Sequence, residues 1–471
     1  MKQVAARILV TAMLVIPAAW HARAEPAAPA RPPAFTNWRY GEDYGYLRDP
    51  AHRTGDPWEA LKFVPLDGTG TIYASFGADL RLRYEGYRDN SWGRGPKPDD
   101  RYVWSRIMPY ADLHLGPNVR LFGQLIGAFA DRSRLTNGPV DETGVDLLQG
   151  FAQLRLPGDG ATWTLQGGRQ LVAYGSERLI GLRFGPNVPQ AFDGGIARLE
   201  AGDWRVDGFF LRPVENNLHG FDDRTDGGRR AAGLYATLAL PTIGPRSGLD
   251  LYYIGYHRAL ARFDQGAGTE DRHTLGTRFF GRSGGWSWDH EAFLQFGTFG
   301  RSEILAWSVA TSTRYTFADL PLAPFLELKA NAISGDRNPD DRRLGTFNAM
   351  FPRGKYFGEI GLIGPSNLLN LHPAIGIDLG SGWSLSAAAV FYWRESLGDG
   401  IYGNPGNLLR SAGTSRARYI GTQAEAVLGW QPTRNLSVSA AYAVLEPGRF
   451  IVETGPSKTV HFVGTDMQLR F

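Results

Sequence analysis

The sequence predicts an all-β protein: a transmembrane antiparallel β-barrel of about 18 strands, with short periplasmic turns and long extracellular loops. Three observations favour this fold. Apolar and ionic side chains alternate along many short segments, short and long connections follow one another in turn, and no long apolar run occurs after Trp20. A strand that faces lipid on one side and water on the other requires an alternation of period two.

Alternation is clear in residues 75–85, where apolar side chains occupy every second position. The apolar set is Phe76, Ala78, Leu80, Leu82 and Tyr84, and the polar set is Ser75, Asp79, Arg81, Arg83 and Glu85. Successive side chains of a strand point to opposite faces. One face of each strand is therefore predicted to meet lipid, and the other to line the lumen.

Eighteen segments can be read as strands in this way, and an even number allows a single chain to close an antiparallel barrel. The predicted strands are 75–85, 101–115, 119–129, 147–156, 162–170, 190–200, 203–212, 231–240, 248–258, 272–280, 286–297, 304–317, 323–334, 370–380, 383–394, 417–430, 435–446 and 460–471.

The connections between these segments support the same fold. Those after even-numbered strands are tight, as at 116–118 and 381–382, whereas most of those after odd-numbered strands are long. The long connections include 86–100, 130–146, 171–189, 213–230 and 335–369. Such alternation is typical of periplasmic turns and extracellular loops. The connection at 298–303 is short where a long loop is expected.

The two ends of the chain define its domain organisation. Residues 1–24 have a basic start, an apolar run and small residues at Ala22 and Ala24, which predict a signal peptide cleaved near Ala24. Residues 25–74 are interpreted as a periplasmic leader with first contacts, and 75–471 as the barrel. We therefore expect the mature chain in the outer membrane of a Gram-negative cell, in contact with outer-membrane lipid.

Aromatic residues near strand ends fit this location. Tryptophans there are predicted to form girdles at the two membrane–water boundaries. They are Trp38, Trp92, Trp104, Trp163, Trp204, Trp383, Trp393 and Trp430. The last strand ends on Phe471, and a terminal strand ending in Phe resembles the signal that bacterial barrels present to the barrel assembly machinery, an expected partner.

The ionic residues that alternate with apolar ones are predicted to line a water-filled lumen. The basic members are Arg81, Arg83, Arg106, Arg120, Arg155, Arg278, Arg314, Lys329 and Arg470, and the acidic members are Asp79, Asp112, Asp289, Glu291, Glu327, Glu425 and Asp466. Rings of arginine favour anions, because the guanidinium fork fits carboxylates. The alternative is that these charges pair with one another and shape the lumen. The net charge of +3 is small, so placement must create any selectivity.

A concentrated motif lies in residues 168–194: GRQ, then YG and RL, followed by GPN and FDG. Agreement continues in Leu80-Arg81-Leu82-Arg83-Tyr84-Glu85 near the start and in Ser334-Gly335-Asp336 further along. Together these motifs resemble the alginate export family of outer-membrane barrels over essentially the whole mature chain.

The resemblance implies an eighteen-stranded barrel with an arginine-lined constriction that passes a secreted uronic-acid polymer. Periplasmic polymer-secretion proteins would then be further partners. The residues that match the family's motifs, or that follow from the alternation, form the predicted pore site. They are Arg81, Arg83, Arg106, Arg155, Arg169, Arg178, Arg183, Asn187, Asp193 and Lys355.

Two other functions are alternatives to export: a porin and an outer-membrane hydrolase. A general or uptake porin for small anions such as sugar acids would share the basic lumen. An outer-membrane hydrolase is disfavoured: Gly281-Arg282-Ser283-Gly284-Gly285 has the G-x-S-x-G spacing, but the strand-like Trp286 follows it, so it reads as a hairpin turn. No enzyme activity, cofactor or nucleic-acid partner is predicted. A loop-bound cation such as Ca²⁺ at residues 336–341 stays an open alternative, although the EF-hand pattern is absent.

Overall fold

The computed structural model describes residues 32–132 and 136–471, so the predicted signal peptide and the start of the leader lie outside the described residues. Eighteen long strands form one antiparallel barrel. They are β1 Ile72–Arg88, β2 Asp100–Leu115, β3 Val119–Arg132, β4 Gly144–Gly158, β5 Ala161–Leu171, β6 Ala191–Ala201, β7 Trp204–Glu215, β8 Arg229–Ala239, β9 Gly248–Phe263, β10 Gly266–Ser283, β11 Trp286–Phe299, β12 Ser302–Thr316, β13 Phe325–Ile333, β14 Leu368–Gly380, β15 Trp383–Trp393, β16 Tyr419–Trp430, β17 Leu436–Pro447 and β18 Val460–Arg470.

The barrel is closed by pairing of its first and last strands. β1 and β18 run antiparallel, in a register that extends from Asp79 opposite Arg470 to Arg88 opposite His461. Each other strand pairs with its neighbours in sequence. The predicted fold class is therefore confirmed, and each of the eighteen predicted segments overlaps one barrel strand. Closure leaves no unpaired sheet edge in the bilayer, where unsatisfied backbone groups are costly.

The remaining regular elements are short. The helical turns are α1 Glu59–Lys62, α2 Asn90–Gly93 and α3 Arg449–Glu453, with 3₁₀ turns at Gly45–Arg48 and Pro50–His52. The short strands are Val64–Pro65, Arg224–Thr225, Arg343–Leu344, Ile401–Tyr402 and Leu408–Arg410. Among the described residues, no helix has the length and apolar character needed to cross a membrane.

Short turns lie at one end of the barrel, here called the turn end, and most long loops lie at the other, the loop end. The turn end corresponds to the periplasmic side of such barrels. The long loops at the loop end include L3 (172–190), L7 (334–367) and L8 (394–418). The connection at 298–303 is short as predicted, because β11 and β12 continue to a two-residue turn at Gly300-Arg301.

The loop between β9 and β10 differs from the prediction. These strands continue to Phe263 and Gly266, so the region between the predicted strands 248–258 and 272–280 is mostly strand. β10 has 18 residues, more than the roughly 9–11 that a bilayer requires. Beyond the bilayer the outer face no longer meets lipid, while the inner face packs on the loops, as Ala261 and Phe263 do with Leu344 and Tyr402. The lipid-facing alternation is not needed there, which explains why the sequence pattern missed it.

Burial follows the predicted alternation. On β1, Leu82 is 48% exposed, whereas its neighbours Arg81 and Arg83 are buried on the lumen side. Trp163, Trp204 and Trp383 are exposed near the turn end and fit the predicted girdle, and Trp383 stacks on Trp430. The girdle prediction was wrong for three tryptophans. Trp38 packs inside the barrel, Trp92 is buried in the connection after β1, and Trp104 faces the lumen from β2 beside Tyr102.

The described part of the leader does not remain outside the barrel. Residues 34–44 enter the lumen from the turn end and return, and we call them the N-terminal hairpin. The ring of Tyr40 lies edge-on to Phe122 and Phe151, which point inward from β3 and β4. The hydroxyl of Tyr40 donates a hydrogen bond of 2.7 Å to the carbonyl of Leu171 at the loop end of β5.

Candidate functional site: the barrel lumen

Loops L3 and L7 meet inside the lumen. L3 follows β5 and L7 follows β13, so their roots lie eight strands apart in the ring of eighteen, on nearly opposite walls. Three backbone hydrogen bonds join them. Gly181 donates to Phe351 (2.9 Å), Phe351 to Leu179 (3.0 Å), and Arg353 to Glu177 (2.9 Å). This contact, the L3–L7 ladder, divides the interior of the barrel.

L3 is fixed to the wall by Asn187, a predicted site residue. Its buried carboxamide donates to the carbonyls of Ser105 (3.2 Å), Phe129 (3.1 Å) and Asp141 (2.9 Å). Asn187 is fully buried, and few other side chains could donate to several carbonyls from one point. Asn187 therefore anchors the loop.

Arginines of β1 and β2 hold the same part of L3. Arg81 donates to the carbonyls of Phe184, Gly185 and Pro186 at 2.9–3.2 Å, and Arg106 donates to Asn187 at 3.0 Å. Arg81 also pairs with Asp466 at 2.7 Å. Arg83 forms ion pairs with Glu85 and with Asp466. The donors of Arg81 are thus occupied by the protein itself, whereas, in the part of the chain that the structure describes, the Nε of Arg83 and the Nε and Nη2 of Arg106 are buried without a hydrogen-bond partner.

Arg178 fastens the other half of L3 to β11. Its guanidinium lies 2.7 Å from Asp289 and 2.6 Å from Glu291, and it also contacts the hydroxyl of Ser176. These carboxylates raise the pKa of Arg178 above its ordinary value, even though burial acts in the opposite direction. Arg178 consequently stays charged and serves to position the loop.

An outer cavity of about 260 Å³ lies between the two loops and the loop end of β1 and β2. Three basic side chains line it, Arg183, Arg229 and Lys355, together with the carboxylate of Glu85. Its other walls include aromatic rings. They come from Tyr87, Tyr102, Trp104 and Phe351. A concave site with apolar walls and a few placed charges is the usual form of a small-ligand site.

Arg183 is the most available cation of the outer cavity. Among the described residues, no carboxylate oxygen lies within 4.0 Å of its guanidinium, and its hydrogen bond to Asn216 is long at 3.4 Å. Its buried Nε has no hydrogen-bond partner. Burial and the charge of Arg229 lower the pKa of Arg183 to about 10, so it remains charged at neutral pH. A ligand carboxylate would supply the missing partner.

An inner cavity of about 280 Å³ lies nearer the turn end, between the L7 segment 353–359 and strands β12–β16. Its basic residues are Arg314, Lys329, Arg353 and Lys355, and its acidic residues are Glu327, Glu359 and Glu425. Arg353 has no carboxylate within 4.0 Å among the described residues, and its Nε lacks a hydrogen-bond partner. The two cavities place unpaired arginines on both sides of the L3–L7 ladder.

Lys355 lines both cavities. Its ammonium group lies 3.0 Å from Glu85 and 2.9 Å from Glu359, and 4.6 Å above the ring of Phe462. Lys355 and Arg183 both have a positive φ, of 52° and 49°. For residues other than glycine this conformation is uncommon, and it is often kept where function requires it. Lys355 is the cation shared by the two halves of the passage.

Most other charges in the lumen form ion pairs with one another. Arg120 bonds Asp112 at 2.7 Å, Arg314 bonds Glu327 at 2.7 Å, and Arg470 lies 3.0 Å from Asp79. Arg278 likewise bridges Asp250 and Asp289. The alternative left open from the sequence, that these charges pair and shape the lumen, therefore describes most of the wall. The exceptions include Arg106 on β2, whose Nε and Nη2 have no hydrogen-bond partner among the described residues, and arginines of the loops.

Of the ten predicted site residues, Arg183 and Lys355 line a cavity, five lie around L3, and the remaining three belong to the barrel wall. Arg169 and Asp193 form a bidentate cross-strand pair of 2.9 and 3.1 Å. Phe192, next to Asp193, contacts Phe351 inside the barrel, so the alternation of β6 turns Asp193 to the other face. Arg155 is exposed near the turn end of β4. These residues support the wall and the turn end.

Sequence reasoning missed Arg229, Arg353 and the aromatic wall of the outer cavity. Arg229 is the first residue of β8, and Arg353 lies far along the long loop L7. Arg229 precedes the predicted strand 231–240, and Arg353 lies outside every predicted strand, so alternation marks neither residue. Their place in the lumen depends on contacts between distant loops, for which one sequence carries no local signal.

Two further motifs have clear structural settings. Ser283 of the G-x-S-x-G match ends β10, and Gly284-Gly285 form the turn into β11, which confirms the predicted hairpin and leaves no helix after the serine. Among the described residues, three carboxylates whose oxygens lie within 4.8 Å of one another belong to Asp146, Asp222 and Asp223. The 336–341 loop, where a bound cation was the alternative, forms no such group of three with other described residues. The carboxylate oxygens of Asp146 and Asp223 accept bonds from nearby backbone and side-chain groups.

The fold and the lumen define the class of this protein: it is an outer-membrane channel, a closed barrel with an apolar outside and loop-borne cations within. The family model described as alginate export matches residues 72–465. The chain belongs to the alginate export family. No curated protein matches the chain.

Solved porins share the fold at low identity. OccK2 (OpdF) of Pseudomonas aeruginosa, in complex with glucuronate, is 11% identical with a TM-score of 0.55, covering 87% of this chain and 98% of the porin. OpdK of P. aeruginosa with vanillate is 12% identical with a TM-score of 0.54, over 84% and 99%. A BenF-like porin of Pseudomonas fluorescens Pf-5 is 9% identical with a TM-score of 0.58, over 84% and 98%.

Proposed function

We propose that the channel exports an anionic polysaccharide of the alginate kind, a polyuronate, through the two lumen cavities. The observation that carries this proposal is the set of cations on L3 and L7. Arg183 and Arg353 lie on opposite sides of the L3–L7 ladder, and within residues 32–132 and 136–471 neither has a carboxylate partner. Lys355 borders both cavities. A chain with a carboxylate on each sugar could pass from one cation to the next.

The chemistry of these groups fits a mobile polyanion. Guanidinium groups bind carboxylates through paired hydrogen bonds. Two acids, Glu85 and Glu359, lie beside Lys355. They compete with a ligand for its ammonium group and so limit how tightly any one sugar is held. Passage requires binding that is favourable but reversible, with several sites in series.

Uptake of small sugar acids is the second candidate, and the size of the cavities favours it. Each has a volume of about 260–280 Å³, slightly below the roughly 300–1,000 Å³ of most drug-sized ligand sites. A single sugar acid suits such a volume better than a length of polymer. OccK2 (OpdF), which is similar to this chain in fold, was solved in complex with glucuronate, a monomeric uronate.

Ion selectivity in planar bilayers tests the cationic passage. We expect the unmodified channel to prefer chloride over potassium, and Arg183→Glu to reduce that permeability ratio several-fold, because it reverses a charge in a confined passage. Arg337→Glu is the matched control, since Arg337 is 80% exposed on L7 and should leave the ratio unchanged. A cation-selective unmodified channel would contradict the proposal.

The two substrates are separated by block of the same current. Polyuronate, monomeric uronate and a neutral polysaccharide of matched length are added in turn. Export of a polymer predicts block by polyuronate at concentrations where the monomer has little effect, whereas uptake predicts comparable block by the monomer. Polymer secretion by a strain that lacks the gene then tests the direction of transport.

A further inference from the structure

The N-terminal hairpin, residues 34–44, occupies the turn end of the lumen. The chain enters beside the turn between β16 and β17, where Arg434 donates to the carbonyl of Pro33 at 2.9 Å. It leaves towards the start of β1, where Tyr44 and Tyr46 pack in one apolar cluster with Tyr73. The residues between these points lie within the barrel.

Contacts of the hairpin extend over six strands, from β18 through β1 to β5, and reach L3. Gln149 of β4 donates to the carbonyl of Trp38 at 3.2 Å, and Arg470 of β18 donates to Asn37 at 2.9 Å. The indole of Trp38 packs against the apolar cluster that holds Leu182 and Val188 of L3. The hairpin thus lies directly beneath the loop that borders the outer cavity.

Arg39 is the polar centre of the hairpin and is 1% exposed. Its guanidinium pairs with Glu42 at 3.0 Å and donates to the carbonyl of Phe471 at 2.8 Å. Lys62 reaches the same point from α1, since both cations contact the hydroxyl of Tyr110. Arg39 therefore pairs with the buried carboxylate of Glu42, and the buried cation of Lys62 lies close to this pair without an ion pair of its own among the described residues.

We propose that the N-terminal hairpin is a releasable gate at the turn end, and that large solutes cross only after it leaves the lumen. Its residues form no helix or barrel strand, so release breaks no ladder of the barrel. A buried ion pair repays its desolvation poorly, and here a second cation adds repulsion. Residues 48–71 connect the hairpin to β1 and would tether it after release.

The first test compares the conductance of three channels. Deletion of residues 34–44 is expected to raise single-channel conductance, and Arg39→Gln to raise the fraction of time spent in that higher state. Arg53→Gln is the matched control, because Arg53 is exposed in the same leader and should leave conductance unchanged. Equal conductance of the deletion variant and the unmodified channel would overturn the proposal.

A tethered variant keeps the test decisive if the deletion does not fold. The chain has no cysteine, so Tyr40→Cys with Phe151→Cys introduces one thiol pair where the two rings lie 5.1 Å apart. A short bis-methanethiosulfonate cross-linker that spans the space left by the two rings should hold the channel in its low-conductance state, and a reductant should release it, whereas each single-cysteine variant should still open. Equal currents before and after reduction would also overturn the proposal.

These measurements use salt currents and therefore do not depend on the identity of the saccharide. Failure of polyuronate to block the channel would count against the proposed substrate and leave the gate intact. A hairpin that stays in place during block by polyuronate would count against the gate alone. The two proposals can thus fail separately.

Discussion

At the scale of residues, the cations of this channel divide into those that hold the protein together and those that have a free side. Arg81 and Arg178 spend their donors on backbone carbonyls and carboxylates. Arg183 and Arg353, both on loops, have a buried Nε without a hydrogen-bond partner in the described chain, and their bonds to Asn216 and to the carbonyl of Tyr356 are long at 3.4 and 3.5 Å. Alternation in the sequence correctly placed arginines inside, but it could not distinguish these groups, because pairing depends on neighbours across the lumen.

Lys62 makes the N-terminal hairpin sensitive to pH. Burial, followed by the charge of Arg39, lowers the pKa of Lys62 to about 7, while Glu42 acts in the opposite direction. In water the group would keep a pKa near its ordinary 10.5. Between pH 7 and pH 10.5, Lys62 must therefore lose its proton when the hairpin docks. Docking is weakest below about pH 7 and strengthens as the pH rises above that value.

We therefore expect the high-conductance state to become less populated between pH 7 and pH 9. Lys62→Met removes the titrating group and should flatten this dependence. Lys458→Met is the control, since Lys458 is 67% exposed at the loop end. Bilayer recordings over this range check the prediction, and a pH profile unaltered by Lys62→Met would count against it.

At the scale of elements, the strands were predictable and the loops were not. Each barrel strand obeys a local rule, because lipid requires an apolar side chain at alternate positions. L3 and L7 obey no such rule: Ile180 forms its bridge with Phe351, far away in the sequence. The motif GPN did mark the anchor of L3 at Asn187, although the sequence suggested contact with substrate there.

Replacement of Asn187 tests the anchoring role. Asn187→Asp would place acceptor oxygens against three carbonyls and should destabilise L3 by about 1–3 kcal/mol, the usual cost of an unsatisfied buried polar group. We expect faster proteolysis within 172–190 and noisier currents. Asn338→Asp, in the 336–341 part of L7, is the control. Proteolysis of the purified protein followed by mass mapping provides the measurement.

At the scale of the whole molecule, closure of the barrel and packing of the leader depend on one another. Gly77 of β1 lies where the strands close, and a Cβ there would come 2.3 Å from the carbonyl oxygen of Phe471 and 2.5 Å from the Lys62 ammonium. The sequence predicted closure from its even count of strands. It did not predict that the leader fills part of the interior, since inward packing leaves no periodic signal.

Gly77→Ala should therefore lower the free energy of unfolding of the barrel by about 1–3 kcal/mol, the usual cost of overpacking a well-packed site. Gly123→Ala on β3 is the matched control, because no atom lies within 4 Å of its added Cβ. Urea unfolding in detergent, followed by tryptophan fluorescence, measures the difference. Equal midpoints for the two variants would show that the close approach at Gly77 carries no cost.

The L3–L7 ladder has a mechanical consequence. Each loop is anchored near its root on its own wall, L3 by Asn187 and L7 through Asn367, whose carboxamide donates to three carbonyls of L8 at 2.9–3.0 Å. The two loops meet through three backbone hydrogen bonds, each worth roughly 1 kcal/mol. Separation along this line would join the outer and inner cavities while both loops kept their attachments. It would cost about 3 kcal/mol in hydrogen bonds, and more because Ile180 and Phe351 would lose their apolar contacts.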